Sequence, residues 1–453
     1  MATRARSSAI VWQNHAQTVT LIDVPYSIAA AQGQDRSGSY HLLSTPPLEA
    51  TFPSNEPKSA AAKAKLHADT VKTGIYLTYG DALRKALDEI HVDYHGKWCL
   101  PRHFVEETAN SSSKRKADTS LDNTNTSLDH KDSLPEIRHG KLSDRLLNGT
   151  GRNQNEGLVF TMQYPREDRE PYEGNGSWET KQHFFHNDKG RSTTFSISCS
   201  NSSDAVAFNI PPKTSFFLKD CADSRSFHAC IRNQAQQDDT RKTFDLILLD
   251  PPWPNRSVKR THQTPGSTYN TISTLWDVRN LLLDMDLDIL MAEDCLVAKW
   301  ITNKPAVRDL VLGENGIFEC WGVELVEEWL WLKTTVHGEP VTPLDALWRK
   351  PYEILLLGRK RRGRVDITNA PTPAELPRRV IFSVPDLHSR KPCLKELIEP
   401  LMQDRDDYRA LEVFTRHLVA GWWSWGNECI KFNWQGYWRG ATKDEVEDDH
   451  VET

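Results

Sequence analysis

The sequence predicts an α/β protein built on a Rossmann-like, doubly wound and mostly parallel sheet. Three observations predict it. From Phe208 onward, short apolar runs alternate with stretches of helical spacing, the rhythm of strand and crossover helix in a parallel sheet. Phe244-Asp-Leu-Ile-Leu-Leu249 is a near-continuous apolar run, as expected of a strand covered on both faces. That run passes directly into Asp250-Pro251-Pro252-Trp253, which puts an acid at a strand's carboxyl end, where open α/β sheets bind ligands.

Taken along the chain, Ala9-Ile-Val-Trp12 and Val19-Thr-Leu-Ile22 read as strands separated by a turn. Residues 57–73 are rich in Ala and Lys, and Tyr79–Glu89 has helical spacing with Leu83 and Leu87 on one face. Together they are expected to form an N-terminal accessory lobe over 1–106. Residues 107–155 are dominated by Ser, Asn, Asp, Thr and Lys with no aromatic residue, so no burial offsets the entropy of ordering and a disordered linker is expected. Its Lys114-Arg-Lys116 is too short a basic cluster to read as an import signal and is taken as solvated charge. Phe160, Tyr164, Trp178 and Phe184-Phe185 mark 156–205 as accessory strands packing on the main domain. The Gly174-Asn-Gly176 between them has no strand before it and reads as a loop.

The main domain is expected over 206–440. Ser215-Phe-Phe-Leu218 reads as a strand, followed by a helical segment and the central strand 244–249. Then come a strand at Leu296–Ile301, a helix at 305–314 closed by Gly313, a long strand at Glu324–Lys333, and strands at Ile354–Leu357 and Val380–Val384. A helix at Cys393–Gln403 and a strand at Leu411–Phe414 complete it. No Gly-rich loop precedes the central strand. An acidic, disordered tail is expected over 441–453.

Composition bounds the function. The formal charge of −6 belongs mostly to that tail, so nucleic-acid binding, if present, must be local rather than a global basic field. The 8 cysteines are scattered singly with no C-x-x-C pair, which argues against a metal site and for a reducing compartment. No signal peptide or 18-residue apolar run is found, so a soluble intracellular protein with no membrane partner is expected. No protein partner is legible.

The stretch Asp250-Pro251-Pro252-Trp253 carries the chemistry. The two prolines fix their own φ angles and donate no hydrogen bonds, so the turn is rigid and its carbonyls project as free acceptors. A carboxylate acceptor, a carbonyl acceptor and a flat aromatic face within four residues suit a planar base bearing an NH2 group. Such an amine is a poor nucleophile because its lone pair is delocalised into the ring. With Asp250 and the Pro251 carbonyl accepting its two N–H bonds, the nitrogen can pyramidalise. A charged acceptor roughly doubles the strength of such a bond, and stacking on Trp253 or a neighbouring aromatic is worth about 1–3 kcal/mol. The bland alternative is a Pro-rich turn with Asp as a cap.

The motif resembles that of amino methyltransferases, and its surroundings resemble the family of the seventy-kilodalton mRNA adenosine methyltransferase subunit, most of all its methyltransferase-like protein four branch. The branch likeness rests on Ile210-Pro-Pro-Lys-Thr-Ser-Phe-Phe-Leu-Lys-Asp220, on Leu411-Glu-Val-Phe-Thr-Arg416 and on Gly421-Trp-Trp-Ser-Trp-Gly-Asn-Glu428. It covers about residues 206–440. The resemblance implies a permuted order, amine-binding half first and cofactor half last, with S-adenosylmethionine as methyl donor. It implies catalytic roles for Asp250, Pro251, Pro252 and Trp253. It places Asp220 and the backbone of Cys221 beside the donor's methionine or adenine end, Lys391 against the methionine carboxylate, and Arg416, Asn427 and Glu428 around the ribose. Family members commonly carry Asn just after the arginine region, where this chain reads His417; either His417 substitutes as ribose donor or the contact is lost.

For the substrate, the basic Arg256 closely follows Trp253, Tyr269 falls where the family places a loop lining its base pocket, and Gly358-Arg359-Lys360-Arg361-Arg362 offers phosphate contacts or simply a solubilising loop. Trp422, Trp423 and Trp425 are expected in the core. The implied activity is methylation of the N6 amine of adenine in nucleic acid, RNA before DNA, with a small nuclear RNA adenosine, 2′-O-methylated or not, as the implied target and the nucleus, otherwise the cytoplasm, as its place. A flipped or single-stranded base is required in either polymer. A catalytically silent nucleic-acid-binding scaffold is the alternative of another class, opposed by the intact motif with Lys391 and Asn427. Methylation of a protein glutamine would go with Asn-Pro-Pro-Tyr, which this chain lacks.

Overall fold

A computed structural model describes residues 8–33, 40–53, 59–60, 64, 74–104, 158–163, 183–199, 205–254, 274–346, 350–361, 376–387 and 390–440. The strands are, in chain order, β1 Ile10–Gln13, β2 Val19–Ile22, β3 Tyr40–Leu42, β4 Leu158–Gln163, β5 Phe184–His186, β6 Thr193–Cys199, β7 Ala205–Ile210 and β8 Ser215–Phe217. They continue with β9 Phe244–Leu249, β10 Met291–Ile301, β11 Val323–Lys333, β12 Tyr352–Lys360, β13 Arg378–Ser383, β14 Ala410–Val413, β15 Trp423–Trp425 and β16 Trp438–Gly440.

An 11-stranded sheet organises the protein, in the order β1-β2-β13-β11-β12-β10-β9-β14-β15-β8-β5. Only β1, β12 and β5 run against their neighbours. Every other adjacent pair is parallel, so the sheet is mostly parallel and α/β in character, as read from the sequence. The strand β9 is buried along nearly its whole length because its neighbours β10 and β14 pair with it on both edges and helices or loops cover both faces. One face packs Phe244, Ile247 and Leu249 with the helices Ile75–Asp93, Ser224–Gln237, Leu275–Asp284 and Pro305–Leu312. The other packs Leu246 and Leu248 with Trp300, Trp329, Trp331 and the helix Val24–Ala30. Alternation of side chains along the strand separates Ile247 and Leu249 from Leu246 and Leu248, while Phe244, at the start of the strand, packs with the first set.

Helix ends follow local chemistry. Asp23 caps Val24–Ala30 by accepting from the Tyr26 amide, with a proline in the first turn. Thr274 and Asp277 form a reciprocal capping box on Leu275–Asp284. Gly322, at φ 63°, closes Ile317–Trp321 in the left-handed conformation before β11.

Several expectations are refined. Residues of the expected N-terminal lobe join the main sheet directly, since β2 pairs with β13, and the helix Ile75–Asp93 packs in the same core. The expected accessory strands divide: β5 extends the main sheet beside β8, while β4, β6 and β7 form a separate three-stranded sheet. The helix expected at Cys393–Gln403 shrinks to Lys395–Ile398 and a tight turn at Glu399–Leu401, because Pro400 lacks the amide an α-helix would need there. Trp423-Ser-Trp425 is a strand, too short for its period to show in the sequence. The linker 107–155, the tail 441–453, Gly174, Gly176 and most of 57–73 lie outside the described residues. Among those described, no helix is long and apolar enough to cross a membrane.

Candidate active site

The carboxyl ends of β8, β15, β14, β9 and β10 lie side by side, and the residues leaving those ends form the site. β8 leads to Asp220 and Cys221, β15 to Asn427 and Glu428, β14 to Arg416 and His417, and β9 to Asp250-Pro251-Pro252-Trp253. Residues from Asp220 to Glu428, most of them far apart in sequence, thus meet at one sheet edge because their strands are parallel neighbours. The Asp250 amide donates to the Val413 carbonyl at 3.3 Å, tying the start of the motif to β14. Phe414, at φ 62°, turns β14 sharply away at the same level.

Pro251 is buried and Pro252 exposed. The Trp253 indole N–H donates to the Trp300 carbonyl at 3.0 Å, which fixes the plane of its ring against β10. At the exit of the motif the Lys304 ammonium donates to the Pro254 carbonyl at 2.8 Å. The turn is thus held at both ends by neighbouring elements, and its rigidity does not rest on the prolines alone.

A row of alternating charges crosses this edge. Lys391 Nζ lies 3.6 Å from Asp250 Oδ1 and is paired closely with Glu353, which in turn pairs with Lys333 at 2.7 Å. The tryptophan rings of β10 and β11 floor the row: Lys391 Nζ stands 4.9 Å from the Trp300 ring centroid and Lys333 Nζ 4.7 Å from that of Trp331. Burial works against Lys391, but Asp250 and Glu353 more than offset it and hold the ammonium charged above its ordinary range. Burial would raise Glu353, yet Lys333 and Lys391 hold its carboxyl well below the usual carboxylate range. Asp250 goes the other way, pushed up by desolvation with Glu353 adding to it, and Lys391 and Arg416 only partly restore it. Glu412, on β14 and buried, is pushed up to about 8, chiefly by desolvation. It therefore stays largely protonated at neutral pH, with the charge of Asp250 adding to the upward push.

Glu353 and its partners give a test. Its folded carboxyl is depressed, so its contribution to stability is present above the unfolded value near 4.5 and fades as pH falls through the folded one. Glu353→Gln is expected to cost about 1–3 kcal/mol, since two ammoniums lose a charged partner that is itself partly solvated. Urea denaturation should show a gap between wild type and variant that is constant from pH 5 to 8 and closes below about pH 4.

The remaining expected residues are placed as follows. Arg416 pairs with Glu428 at 3.0 Å, and Lys431 with the same carboxylate at 3.1 Å; burial would raise Glu428, but the two cations hold it below its ordinary value. Asp220 is exposed and accepts from the Ala222 amide at 2.9 Å, and Cys221 is buried with its thiol toward the Trp425 carbonyl. His417 is 8% exposed, and burial lowers its imidazole to about 4, so it is neutral. Trp422, Trp423 and Trp425 are buried in the core. Arg256, Tyr269 and Arg362 lie outside the described residues.

Arg359, Lys360 and Arg361 are not brought to this edge. β12 runs antiparallel to β10, so its start, at Glu353, is at the active edge and its end is six residues away, roughly 20 Å at the rise of a strand. There the three side chains are engaged by protein groups: Arg359 donates to the Asp294 and Leu401 carbonyls, Lys360 to the Trp321 carbonyl, and Arg361 pairs with Glu324. Conversely, Glu353, Lys333, Glu412 and Lys299 are site residues the sequence reading did not single out. A charged residue within an apolar strand run was the available signal, as in Leu296-Val-Ala-Lys299-Trp-Ile and Tyr352-Glu353-Ile-Leu.

Comparison with known proteins agrees with this geometry. The MT-A70 family profile matches residues 244–428. Over 196 residues the chain is 45% identical to the N6-methyladenosine RNA methyltransferase MTA1 of Pyricularia oryzae, covering 43% of this chain and 49% of that protein. It is 37% identical over 235 residues to the human N(6)-adenine-specific methyltransferase METTL4, covering 50% and 44%. A DNA N6-methyl methyltransferase of Caenorhabditis elegans is 33% identical over 229 residues, covering 50% and 54%. The chain thus spans about half the length of the curated relatives it matches. With the profile running from the first residue of β9 to Glu428 beyond β15, this chain carries a domain of the MT-A70 family.

Proposed function

We propose that the protein is an S-adenosylmethionine-dependent methyltransferase acting on the N6 amine of adenine in nucleic acid, with RNA as substrate. The observation that carries the reading is Asp250 at the carboxyl end of the central strand, in a rigid Pro-Pro turn with Trp253 and within 3.6 Å of the Lys391 ammonium. The residues around it fit the donor by their chemistry: an ammonium at Lys391 for a carboxylate, and an amide and carboxylates at Asn427, Glu428 and Asp220 for hydroxyls and a cation. When bound, the donor supplies an electrophilic methyl group on a sulfonium. Asp250 and the Pro251 carbonyl accept the two N–H bonds of the adenine amine and aim its lone pair. Trp253, its ring plane held through Trp300, presents a stacking face for a base drawn out of its helix. Glu412, protonated, leaves the Asp250 carboxylate as the negative centre beside the amine. Positioning and electrostatics account for the rate, and no strong general base is needed.

RNA is favoured because the 45% identical fungal relative is named for RNA and the 33% identical nematode relative for DNA. Small nuclear RNA, with or without a 2′-O-methyl on the target ribose, is the substrate class proposed, and the nucleus its compartment. The test is transfer from labelled donor to matched RNA, 2′-O-methylated RNA and DNA oligonucleotides, with Asp250→Ala as control. Methyladenine is expected in RNA and absent with the variant. Transfer to DNA alone would move the substrate, and no transfer together with no saturable donor binding would sink the enzymatic reading.

A further inference from the structure

The loop that delivers Lys391 leaves β13 and is gripped by residues from the N-terminal region, outside the stretch the family profile matches. Arg102 donates from Nη1 to the Pro385 carbonyl at 2.9 Å and the Thr45 carbonyl at 3.2 Å, and from Nη2 to the Val384 carbonyl at 2.8 Å. Thr45 donates its amide to Asp386 Oδ1 at 3.0 Å and its hydroxyl to the same oxygen at 3.3 Å. Asp386 pairs with Arg390 at 2.5 Å, both side chains fully buried, and Arg390 donates to the Leu43 carbonyl at 2.9 Å. The Arg390 guanidinium lies 4.5 Å from the Phe432 ring centroid. The residue preceding Lys391 is therefore held by Asp386, the Leu43 carbonyl and the Phe432 ring, while the start of the loop is held by Thr45 and Arg102.

We propose that Arg102, with Thr45, is a positioning residue for Lys391, so that the N-terminal region sets the affinity of the site for the methyl donor's carboxylate. A guanidinium suits the task because its fork of donors reaches three carbonyls in fixed geometry, which a lysine ammonium on a flexible stem does not reproduce. Burial of the Asp386–Arg390 pair makes the arrangement stiff: leaving either charge unpaired there is costly. Loosening the loop lets Lys391 drift from the place it holds between Glu353 and Asp250, without touching Asp250-Pro251-Pro252-Trp253. The inference rests on the proposed use of Lys391 against the donor.

The experiment is a double-mutant cycle in the full chain, with S-adenosylmethionine affinity read by calorimetry and kcat and KM by methyl transfer. Arg102→Met, Arg102→Lys and the milder Thr45→Val are each combined with Lys391→Met. Arg102→Met is expected to weaken donor binding about tenfold, with kcat at saturating donor within about twofold, Arg102→Lys giving little rescue. In the Lys391→Met background the same change is expected to cost nothing further. Should Arg102→Met not fold, Thr45→Val carries the same test with a loss of about threefold. Losses that add in the double variant, or an unchanged donor affinity in folded Arg102 and Thr45 variants while Lys391→Met weakens it, overturn the clamp alone. A Lys391→Met protein that binds the donor as wild type does overturns the donor reading, and the clamp with it.

Discussion

Asp250→Asn is expected to lower kcat for adenine methylation by about 10²–10⁴-fold, with nucleic-acid affinity nearly unchanged. The substitution keeps the size and one acceptor oxygen of the side chain. It removes the charge that roughly doubles the strength of the bond Asp250 accepts from the amine, and the amide oxygen can accept that bond only while the amide NH2 is turned away from the base. Lys391 keeps its pairing with Glu353, so donor binding should move by only a few-fold. The pH profile adds a second reading. Asp250 must be ionised to accept, and desolvation pushes its carboxyl above the ordinary value, so wild-type single-turnover rates should fall on the acid side at a pH above that of a free aspartate, about 3.9. The residual rate of the variant should lack that limb. A variant within several-fold of wild type would remove Asp250 from the centre of the chemistry.

Much of this site was legible because it is local. The apolar run of β9 and the rigid tetrapeptide behind it declare a buried strand and a functional turn within ten residues. The residues that the resemblance assigns to the donor and its ribose had no local signal, and the fold explains why they meet: parallel neighbours bring Asp220, Asn427, Arg416 and Asp250 to one edge. What was not legible is strand direction. A period of two looks the same read either way, so nothing in Tyr352–Lys360 told that β12 is antiparallel. That single fact brings Glu353 to the active edge and carries Arg359, Lys360 and Arg361 to the opposite one. Likewise, the partner of an isolated charge in an apolar run is set by tertiary contact, so the pairing of Lys391 with Glu353 and the grip of Arg102 on its loop have no signature in spacing.

Lys299→Met is expected to stabilise the protein at pH 7 by about 1–3 kcal/mol. Lys299 sits near the end of β10, fully buried, in register with Leu249 of β9. Its Nζ has no hydrogen-bond partner among the described residues and lies 5.6 Å from the Trp253 ring centroid and 5.4 Å from that of Trp321. Desolvation lowers its ammonium to about 7, with Asp250 pulling the other way. From an ordinary 10.5 that shift amounts to about 5 kcal/mol against the charged form, of which two partly desolvated cation–π contacts offset about 1–2 kcal/mol each. Methionine keeps the length, fills the same slot between the indoles and carries no charge to desolvate. Because the folded value is below the unfolded one, the unfolded chain binds more protons between about pH 7 and 10, and wild-type stability must rise with pH across that window. Urea midpoints at pH 7, 8 and 9 should therefore show the variant ahead at pH 7 and its lead shrinking by up to about 1.4 kcal/mol per unit. A lead that does not change with pH would mean that methionine gains by packing alone, and a variant less stable than wild type would mean that the two rings more than repay the ammonium's lost water.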